Sequence, residues 1–422
     1  MVKRVLFVDD DISVLEGLRL VLRHREHEWT MTFVDSGARA LTEFQTQPYD
    51  VIVSDIRMPA MHGTRLLRTV SERWPEAARI ALSGIADPEQ ATHLAPIAHQ
   101  FLSKPCEPSL LEQVIGRSLG LQELLPEPAL RAMVGRTRRL PPLRRAYARL
   151  QSAVLSDEPS VHDVAKIVAS DTVIAAKVLQ MVNSGFFRPG RCTTNIDQAV
   201  THLGFAALRR LVTSAEVFAQ WPSKPMTAIL DFERLQQHTQ AVTSVARALT
   251  LDTSLADDTL LAAHLHDIGY WILAHECPRE LDRAYHWALE KGVPMHEAER
   301  QTMGSSHAEI GGYLLGIWGL PDSIVAAVAH HHEPERMAPQ EFNALAALAV
   351  AQALAGIDDT AGFRNAIQAD VNVGAEYFET VSAPFNWSEA TRRATLTLQS
   401  GSDGGPHEPQ VALCRFGKVN DP

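Results

Sequence analysis

The sequence predicts an α/β fold, a doubly wound five-stranded parallel sheet, followed by an all-α domain. Over roughly the first 120 residues, short apolar runs alternate with amphipathic segments, the pattern of a parallel sheet with helices on both faces. After that region only the helical pattern remains. Between the two, LLPEP and RTRRLPPLRR concentrate prolines, which favours a domain boundary there.

The elements of the first domain follow from their apolar patterns. Continuous apolar runs such as RVLFV and DVIVS are typical of strands that are buried on both faces. ISVLEGLRLVLRH and GARALTEFQTQ instead carry apolar residues at helical spacing. These patterns predict strands at residues 4–8, 29–35, 50–54, 79–82 and 100–103, and helices at 12–24 and 37–47.

Periodicity and composition set the remaining boundaries. We predict a first domain at 1–122, a linker at 123–139, a helical domain at 140–335 and a helical extension at 336–398. Residues 399–422 are rich in Gly, Ser and Pro and are predicted to be disordered. The predicted helices after the linker are 143–155, 161–169, 171–183, 195–201, 204–219, 228–250, 256–275, 280–291, 295–303, 306–317, 321–332 and 341–356.

Composition narrows the classes of function. The formal net charge of −11 argues against bulk nucleic acid or an anionic membrane surface as the main partner. The four cysteines form no CxxC pair, so neither a disulfide framework nor a zinc–thiolate site is indicated. MVKRVLFVDDD has too few apolar residues for a signal peptide, and the longest apolar run, from Ala344, is too short for a membrane span. We therefore expect a cytoplasmic protein with no membrane insertion.

Polar residues stand at the ends of the predicted strands. Because the carboxyl ends of parallel strands share one edge of a sheet, these side chains are expected to converge. Several carboxylates in one place repel one another, and Mg²⁺ relieves that repulsion. A carboxylate beside Mg²⁺ can accept a phosphoryl group. Asp11 is instead predicted to cap the first helix. The converging residues are Asp9, Asp10, Asp55, Ser83 and Lys104.

Four segments of this domain, VLFVDDD, DVIVSDIRMPAMHG, RIALSG and FLSKP, closely resemble the response-regulator receiver domain in order and spacing. The resemblance covers nearly all of residues 3–120. It implies that Asp55 is the phosphoacceptor and that Asp9 and Asp10 form the acidic pocket with it. Mg²⁺ would be bound by these carboxylates and by the backbone carbonyl of Arg57.

The same resemblance assigns three further roles and a partner. Ser83 would contact the phosphoryl group, and Lys104 would form an ion pair with it. Phe101 falls at the position of the aromatic switch residue of the family. A sensor histidine kinase would be the phosphodonor.

The helical half is rich in histidine. Neutral imidazole is a common metal ligand, and a neighbouring carboxylate such as Asp267 adds negative charge to a site. A lone buried histidine is more often a core residue, but histidines on several separate helices favour a shared site. His264 and His330 are predicted to line the core or contact solvent. The histidines in question are His238, His264, His266, His307, His330, His331 and His332.

LLAAHLHDIG, together with QQHTQAV, resembles the HD superfamily of metal-dependent phosphohydrolases. The resemblance implies a metal ion, Mn²⁺ or Fe, bound by His238, His266 and Asp267, and a metal-generated hydroxide that attacks phosphorus. The family would place a closing aspartate ligand at position 352, where this chain has Gln352. A neutral amide is a poor replacement for a carboxylate beside a divalent cation.

The HD-GYP subfamily, which hydrolyses cyclic di-GMP, has further histidines. His307 in HAEIGGYLL, with His331 and His332 in HHE, matches them. Tyr270, however, replaces the lysine that should follow HDIG, and Arg234 replaces a glutamate ligand. No GYP triplet follows HHEPERMAP. These departures argue against a dinuclear catalytic site. Two interpretations of the six matching residues stay open, a retained metal site and a hydrogen-bonded polar cluster.

Three earlier segments, LPPLRRAYARLQ, VHDVAKIVASDTVIAAKVLQMVNSGFF and NIDQAVTHLGFAALRRLV, closely resemble the HDOD domain. This is an all-helical output module related to the HD superfamily, and the resemblance covers about residues 130–335. Its members commonly lack hydrolytic activity. The resemblance therefore implies a signalling or interaction role.

The most economical hypothesis is a bacterial two-component response regulator. Asp55 would accept a phosphoryl group, and an HDOD module with a degenerate HD site would relay the signal to a downstream protein that the sequence does not identify. The rival hypothesis is a receiver-controlled metal-dependent phosphodiesterase acting on cyclic di-GMP or another nucleotide. The oligomeric state stays open, a homodimer included.

A third hypothesis, nucleic-acid binding through a run of arginines, is weaker. No recognition helix stands out, and a solvated linker and helix face explains these residues. We therefore do not expect a nucleic-acid partner. The arginines are Arg131, Arg136, Arg138, Arg139, Arg144, Arg145 and Arg149.

Overall fold

A computed structural model describes residues 3–84, 94–137, 139–184, 192–214, 217–222, 226–251, 253–337 and 342–355, together with Leu396. The chain divides into two compact units. The first comprises Met1–Trp221 and Tyr313–Pro321, and the second comprises Pro222–Gly312 and Asp322–Pro422. A short segment from the C-terminal half of the sequence therefore belongs to the first unit.

A parallel sheet forms the centre of the first unit's amino-terminal half. Its strands are β1 Lys3–Val8, β2 Trp29–Val34, β3 Val51–Asp55, β4 Ala78–Ser83 and β5 Gln100–Ser103. Their order is β2-β1-β3-β4-β5, and every pair is parallel. All residues of β3 and β4 are buried, as expected for apolar strands covered on both faces. The predicted fold class is confirmed.

Four helices of this half are described: α1 Ile12–Leu22, α2 Gly37–Thr46, α3 Gly63–Arg73 and α4 Pro108–Leu124. Asp11 is the N-cap of α1, because its carboxylate accepts a hydrogen bond from the backbone N–H of Ser13 at 2.9 Å. Apolar residues of α1 and α4, such as Leu15, Leu22 and Ile115, pack on Phe7 and other residues of the sheet in one core cluster.

Residues Pro128–Arg136, which the sequence analysis placed in a linker, form helix α5. Proline is well tolerated in the first turn of a helix because its missing N–H has no partner there. The buried guanidinium of Arg79 donates hydrogen bonds to the carbonyls of Gly135 at 2.8 Å and Ile97 at 2.8 Å. The predicted linker is therefore hydrogen-bonded to Arg79, near the start of β4.

Four further helices belong to the first unit: α6 Arg144–Val154, α7 Val161–Val168, α8 Thr172–Asn183 and α9 Ile196–Thr213. Ser160, Asp171 and Asn195 cap the last three through side-chain oxygens that accept backbone N–H groups. Gly204, with a φ of 72°, interrupts α9 at the first residue of the second of the two helices predicted there, 195–201 and 204–219.

The second unit is helical in its described part, with α10 Phe232–Thr250, α11 Ala256–Leu265, α12 Ile268–Glu276, α13 Pro278–Lys291, α14 Met295–Met303, α15 His307–Ile317, α16 Asp322–His330 and α17 Ala344–Ala355. The last residues of α15, from Tyr313, belong to the first unit. The sequence predicted one helix over 256–275, but the structure breaks it at His266 and Asp267. Helical periodicity is the same on both sides, so the sequence pattern carries no sign of this break.

Some predicted features lie outside the described residues. These are Arg138, most of the predicted extension at 336–398 and all of the predicted tail at 399–422. Within the described part of the extension, α17 packs against α10, α11 and α16. None of the described helices is long and apolar enough to cross a membrane.

Candidate functional site

The first candidate site, the acidic site, lies at the carboxyl ends of β1, β3 and β5. Lys104 follows β5, and its ammonium contacts Asp9 Oδ2 at 2.6 Å and also Asp55 Oδ1. Asp55 Oδ2 accepts the backbone N–H of Arg57 at 2.6 Å. Asp9 and Asp55 are both buried. The three predicted residues Asp9, Asp55 and Lys104 are therefore together in one site.

Electrostatics favour a charged lysine in the acidic site. Burial would lower the pKa of Lys104, but hydrogen bonds and charge interactions with Asp55 and Asp9 outweigh burial and raise that pKa. The ammonium thus balances carboxylates that would otherwise repel one another. A phosphoryl group on Asp55 would bring new anionic oxygens within reach of the same ammonium.

The other predicted residues of the acidic site differ in exposure. Asp10 is exposed, while Ser83, at the end of β4, is buried, and its carbonyl accepts the backbone N–H of Lys104 at 2.6 Å. Phe101 is fully buried within β5. Arg57 lies two residues after the end of β3, and its backbone N–H lies beside the Asp55 carboxylate.

The donor set of the acidic site fits a hard cation. Two buried carboxylates contact one ammonium, and the exposed Asp10 stands beside them in sequence. Carboxylate and carbonyl oxygens are the ligands that Mg²⁺ prefers. Asp9, Asp10, Asp55 and the Arg57 carbonyl are the atoms of this chain that would hold it.

The second candidate site, the histidine cluster, lies within the second unit. It comprises two triads whose potential ligand atoms lie within 4.8 Å of one another in each triad: His238, His266 and Asp267, and His307, His331 and His332. His238 is on α10, and His266 and Asp267 lie in the break between α11 and α12. His307 begins α15, and His331 and His332 follow α16. Asp267 joins the triads, because its carboxylate lies 2.9 Å from His266 Nε2 and 3.6 Å from His307 Nε2.

Two imidazoles of the cluster have defined tautomers. Nδ1 of His266 lies 2.7 Å from the carbonyl of Ala263, and Nδ1 of His331 lies 2.6 Å from the carbonyl of Val328. Because a carbonyl can only accept, these Nδ1 atoms carry the ring protons of the neutral forms. In the neutral form Nε2 of each ring is then an acceptor: Nε2 of His331 has no hydrogen-bond partner among the described residues, whereas Nε2 of His266 lies 2.9 Å from Asp267 Oδ2.

Glu299 on α14 is a member of the cluster that the sequence analysis missed. Its buried carboxylate accepts the backbone N–H of His307 at 2.8 Å and lies 2.7 Å from Nδ1 of the same residue. His307 Nε2 lies in turn 2.9 Å from His332 Nε2. A carboxylate on the far nitrogen of a metal-binding histidine is a common way to orient the ring. In the sequence, Glu299 is only a glutamate eight positions before His307. The two residues lie on consecutive helices, and only the packing of α14 against the start of α15 brings them together.

Charges in the cluster are strongly coupled. Burial would raise the pKa of Asp267, but His266, His238 and His307 hold it well below its usual range. Burial, together with neighbouring imidazoles, holds the pKa values of His331 and His332 well below the usual value. Asp267 is therefore ionised, and His331 and His332 are neutral, the protonation states that metal ligands require.

The residues that depart from the HD-GYP pattern take other positions. Tyr270 is buried and stacks on the His307 ring, with centroids 3.9 Å apart. Arg234 is 59% exposed and forms an ion pair with Asp231 at 3.6 Å, so its charge is directed to solvent rather than to a buried site. Gln352 is buried on α17.

Gly269 of the HDIG motif has a packing role. A Cβ built at this position would lie 1.9 Å from the carbonyl oxygen of His307. Only glycine permits α12 to approach the start of α15 this closely. The glycine therefore brings Asp267 and His307 into one cluster.

The cluster fits a divalent transition metal. His266 Nε2 and Asp267 Oδ2 are two acceptors 2.9 Å apart, and a proton or a metal ion between them removes their repulsion. Imidazole nitrogens with one or two carboxylates suit Mn²⁺, Fe²⁺ or Zn²⁺. His238, His266, Asp267, His307, His331 and His332 would be the ligands.

Comparison with known families and proteins identifies two domains in this chain. The response regulator receiver domain matches residues 5–116, and the HDOD domain matches residues 140–334. The response regulator receiver protein CpdR of Brucella abortus is 31% identical over 107 residues, which cover 24% of this chain and 85% of CpdR. The chain belongs to the response-regulator receiver family. It combines the receiver domain with an HDOD output domain.

Two other similar proteins cover more of the chain. An uncharacterized protein of Treponema pallidum is 26% identical over 211 residues, 49% of this chain and 40% of that protein. The crystal structure of the MmoQ response regulator from Methylococcus capsulatus covers 61% of this chain and 98% of its own, with 17% identity and a TM-score of 0.46. The chain spans 25 to 40% of the length of the first curated relatives that it matches.

Proposed function

We propose that this protein is a phosphorylation-controlled response regulator in which Asp55 accepts a phosphoryl group from a sensor histidine kinase. The observation that supports this proposal is the contact of one ammonium, that of Lys104, with both Asp9 and Asp55. Such an arrangement places a carboxylate nucleophile beside a fixed positive charge.

In the proposed transfer, an Asp55 oxygen attacks the phosphorus of a phosphohistidine. The phosphorus–nitrogen bond breaks, an acyl phosphate forms, and the imidazole nitrogen of the donor regains a proton. Mg²⁺, when bound, neutralises charge on the transferring oxygens. Lys104 then forms an ion pair with the phosphoryl oxygens, and Ser83, at the end of the adjacent β4, donates a hydrogen bond to them.

The first test is labelling by a small phosphodonor. Full-length protein with acetyl phosphate and Mg²⁺ should gain one phosphoryl group by intact mass, and Asp55→Ala should gain none. Asp11→Ala is the matched control, because Asp11 caps α1 rather than lining the acidic site. It should be labelled normally while losing about 1 kcal/mol of stability with the cap. Normal labelling of Asp55→Ala would refute the assignment.

We further propose that the HDOD module acts by interaction with a downstream protein, without turnover. Support comes from the positions that a catalytic HD site would need. Gln352 is a buried neutral amide and supplies no negative charge to balance a metal ion. Tyr270, at the position where a lysine would be expected, stacks on the His307 ring.

A second candidate function, metal-dependent phosphodiester hydrolysis, is favoured by one observation. The buried Nε2 of His331 has no hydrogen-bond partner within the described chain, and the buried Nε2 of His266 faces the Asp267 carboxylate at 2.9 Å. Metal analysis should find a transition metal in purified protein, lost in His266→Ala and retained in Asp55→Ala. Hydrolysis of cyclic di-GMP with Mn²⁺ or Fe²⁺ should be undetectable. Rapid turnover that His266→Ala abolishes would establish the enzyme instead.

A further inference from the structure

Backbone hydrogen bonds end α15 at its carboxyl terminus and leave several carbonyls free to accept other hydrogen bonds. Gly319 N donates to Gly316 O at 3.0 Å, Leu320 N donates to Leu315 O at 3.1 Å, and Gly319 has a φ of 86°. This is the common glycine-terminated end of a helix. It does not use the carbonyls of Ile317, Gly319 and Leu320.

The receiver domain supplies donors to these carbonyls. Gln100 on β5 donates to Ile317 O at 3.2 Å. Arg117 on α4 donates to Gly319 O at 3.4 Å and also to Leu320 O. A guanidinium at this end of a helix also interacts favourably with the helix dipole. Two side chains of the receiver domain therefore cap α15.

Side-chain packing adds to the cap. Trp318 is buried, and the ammonium of Lys177 on α8 lies 4.4 Å from the centre of its ring. A Cβ at Gly316 would lie 2.4 Å from a methyl carbon of Leu121 on α4, so the end of α15 rests directly on the receiver helix. These contacts explain why Tyr313–Pro321 belongs to the first unit.

The strand β5 links this cap to the acidic site. Gln100 is its first residue, and Lys104 directly follows its last. At about 3.3 Å per residue, the two lie roughly 13 Å apart along one short edge strand. Phosphorylation would replace the carboxylate charge of Asp55 by a phosphoryl group with nearly two negative charges, a net gain of about one beside the Lys104 ammonium. Lys104 directly follows the strand whose first residue, Gln100, holds Ile317.

We propose that Tyr313–Pro321 is an intramolecular ligand of the receiver domain, and that phosphorylation of Asp55 weakens its attachment through β5. This proposal rests on the proposed function of Asp55. The attached segment is the end of a helix whose first residue, His307, is a member of the histidine cluster. The route differs from the linker at 123–139, which sequence order alone would favour.

Hydrogen exchange of the full-length protein tests the attachment, with beryllofluoride and Mg²⁺ as the phosphoryl analogue. Amides of Tyr313–Pro321 should exchange faster when the analogue is bound, and also in Arg117→Ala without it. The matched control is Arg65→Ala, an exposed arginine of α3, which should behave as the unaltered protein. Gln100→Ala provides a second variant if Arg117→Ala does not fold.

Thermodynamic reciprocity gives an independent measurement. If the analogue weakens the cap, loss of the cap must strengthen analogue binding, by about fivefold or more for a typical coupling. Titration of beryllofluoride should show this gain for Arg117→Ala and not for Arg65→Ala. Equal affinities, or bound analogue with unchanged exchange of Tyr313–Pro321, would overturn this proposal alone. Failure of acetyl phosphate to label Asp55 would instead overturn the function on which it rests.

Discussion

Lys177 is a fully buried lysine whose described partners are neutral. Its ammonium lies 2.7 Å from Gln180 Oε1 and above the ring of Trp318. Two other basic groups, Arg79 and His99, are buried near it, since charge interactions with both Arg79 and Lys177 add to burial in lowering the pKa of His99. Burial lowers the pKa of Lys177 itself to about 7. A charged lysine is therefore costly in this part of the first unit.

The stability of the first unit should consequently depend on pH. Between pH 7 and roughly 10, the unfolded chain protonates Lys177 more readily than the folded protein does, so the free energy of unfolding rises with pH by up to about 1.4 kcal/mol per unit. Lys177→Met should remove this slope and gain most stability below pH 7. Lys166→Met, on the exposed face of α7, should keep the slope. Urea unfolding at pH 6, 7.5 and 9 measures this pH dependence of the free energy of unfolding. The same pH dependence in Lys177→Met and Lys166→Met would contradict the prediction.

At the scale of elements, the approach of α12 to α15 depends on Gly269. Gly269→Ala places a methyl group against the His307 carbonyl, which cannot move without displacing α15. We expect a loss of several kcal/mol, comparable to severe overpacking. Gly17→Ala on α1, where nothing lies within 4 Å of the new Cβ, should instead gain about 0.5–1 kcal/mol from helix propensity. Thermal unfolding separates the outcomes, and equal effects of the two substitutions would exclude the close-approach explanation.

Element boundaries show where local sequence is a sufficient guide. The strands were predictable because each is a continuous apolar run that must be buried on both faces. The break between Leu265 and Ile268 was not predictable, because the helical pattern is the same before and after it. Only the geometry of the histidine cluster requires the break. Helix α5 is not predicted from the sequence, because Pro128 indicates a domain boundary as readily as the first turn of a helix.

At the scale of the whole molecule, the chain divides into two compact units, which we expect to unfold in two steps. We expect two calorimetric transitions. Lys177→Met, at neutral pH, should raise the transition of the first unit, and Gly269→Ala should lower that of the second. A single transition shifted by both substitutions would show that the units unfold together.

The sequence by itself determined the sheet, the helical class of the second half and the residues of the acidic site. These follow from local patterns, since strand ends carry their polar residues in sequence and a parallel sheet gathers them at one edge. It also named the six members of the histidine cluster by resemblance. Only tertiary structure decided that Glu299 orients His307, that Tyr270 stacks on it and that receiver side chains cap α15. Those contacts join residues on different helices, and their distances depend on how the helices pack, which no local pattern specifies.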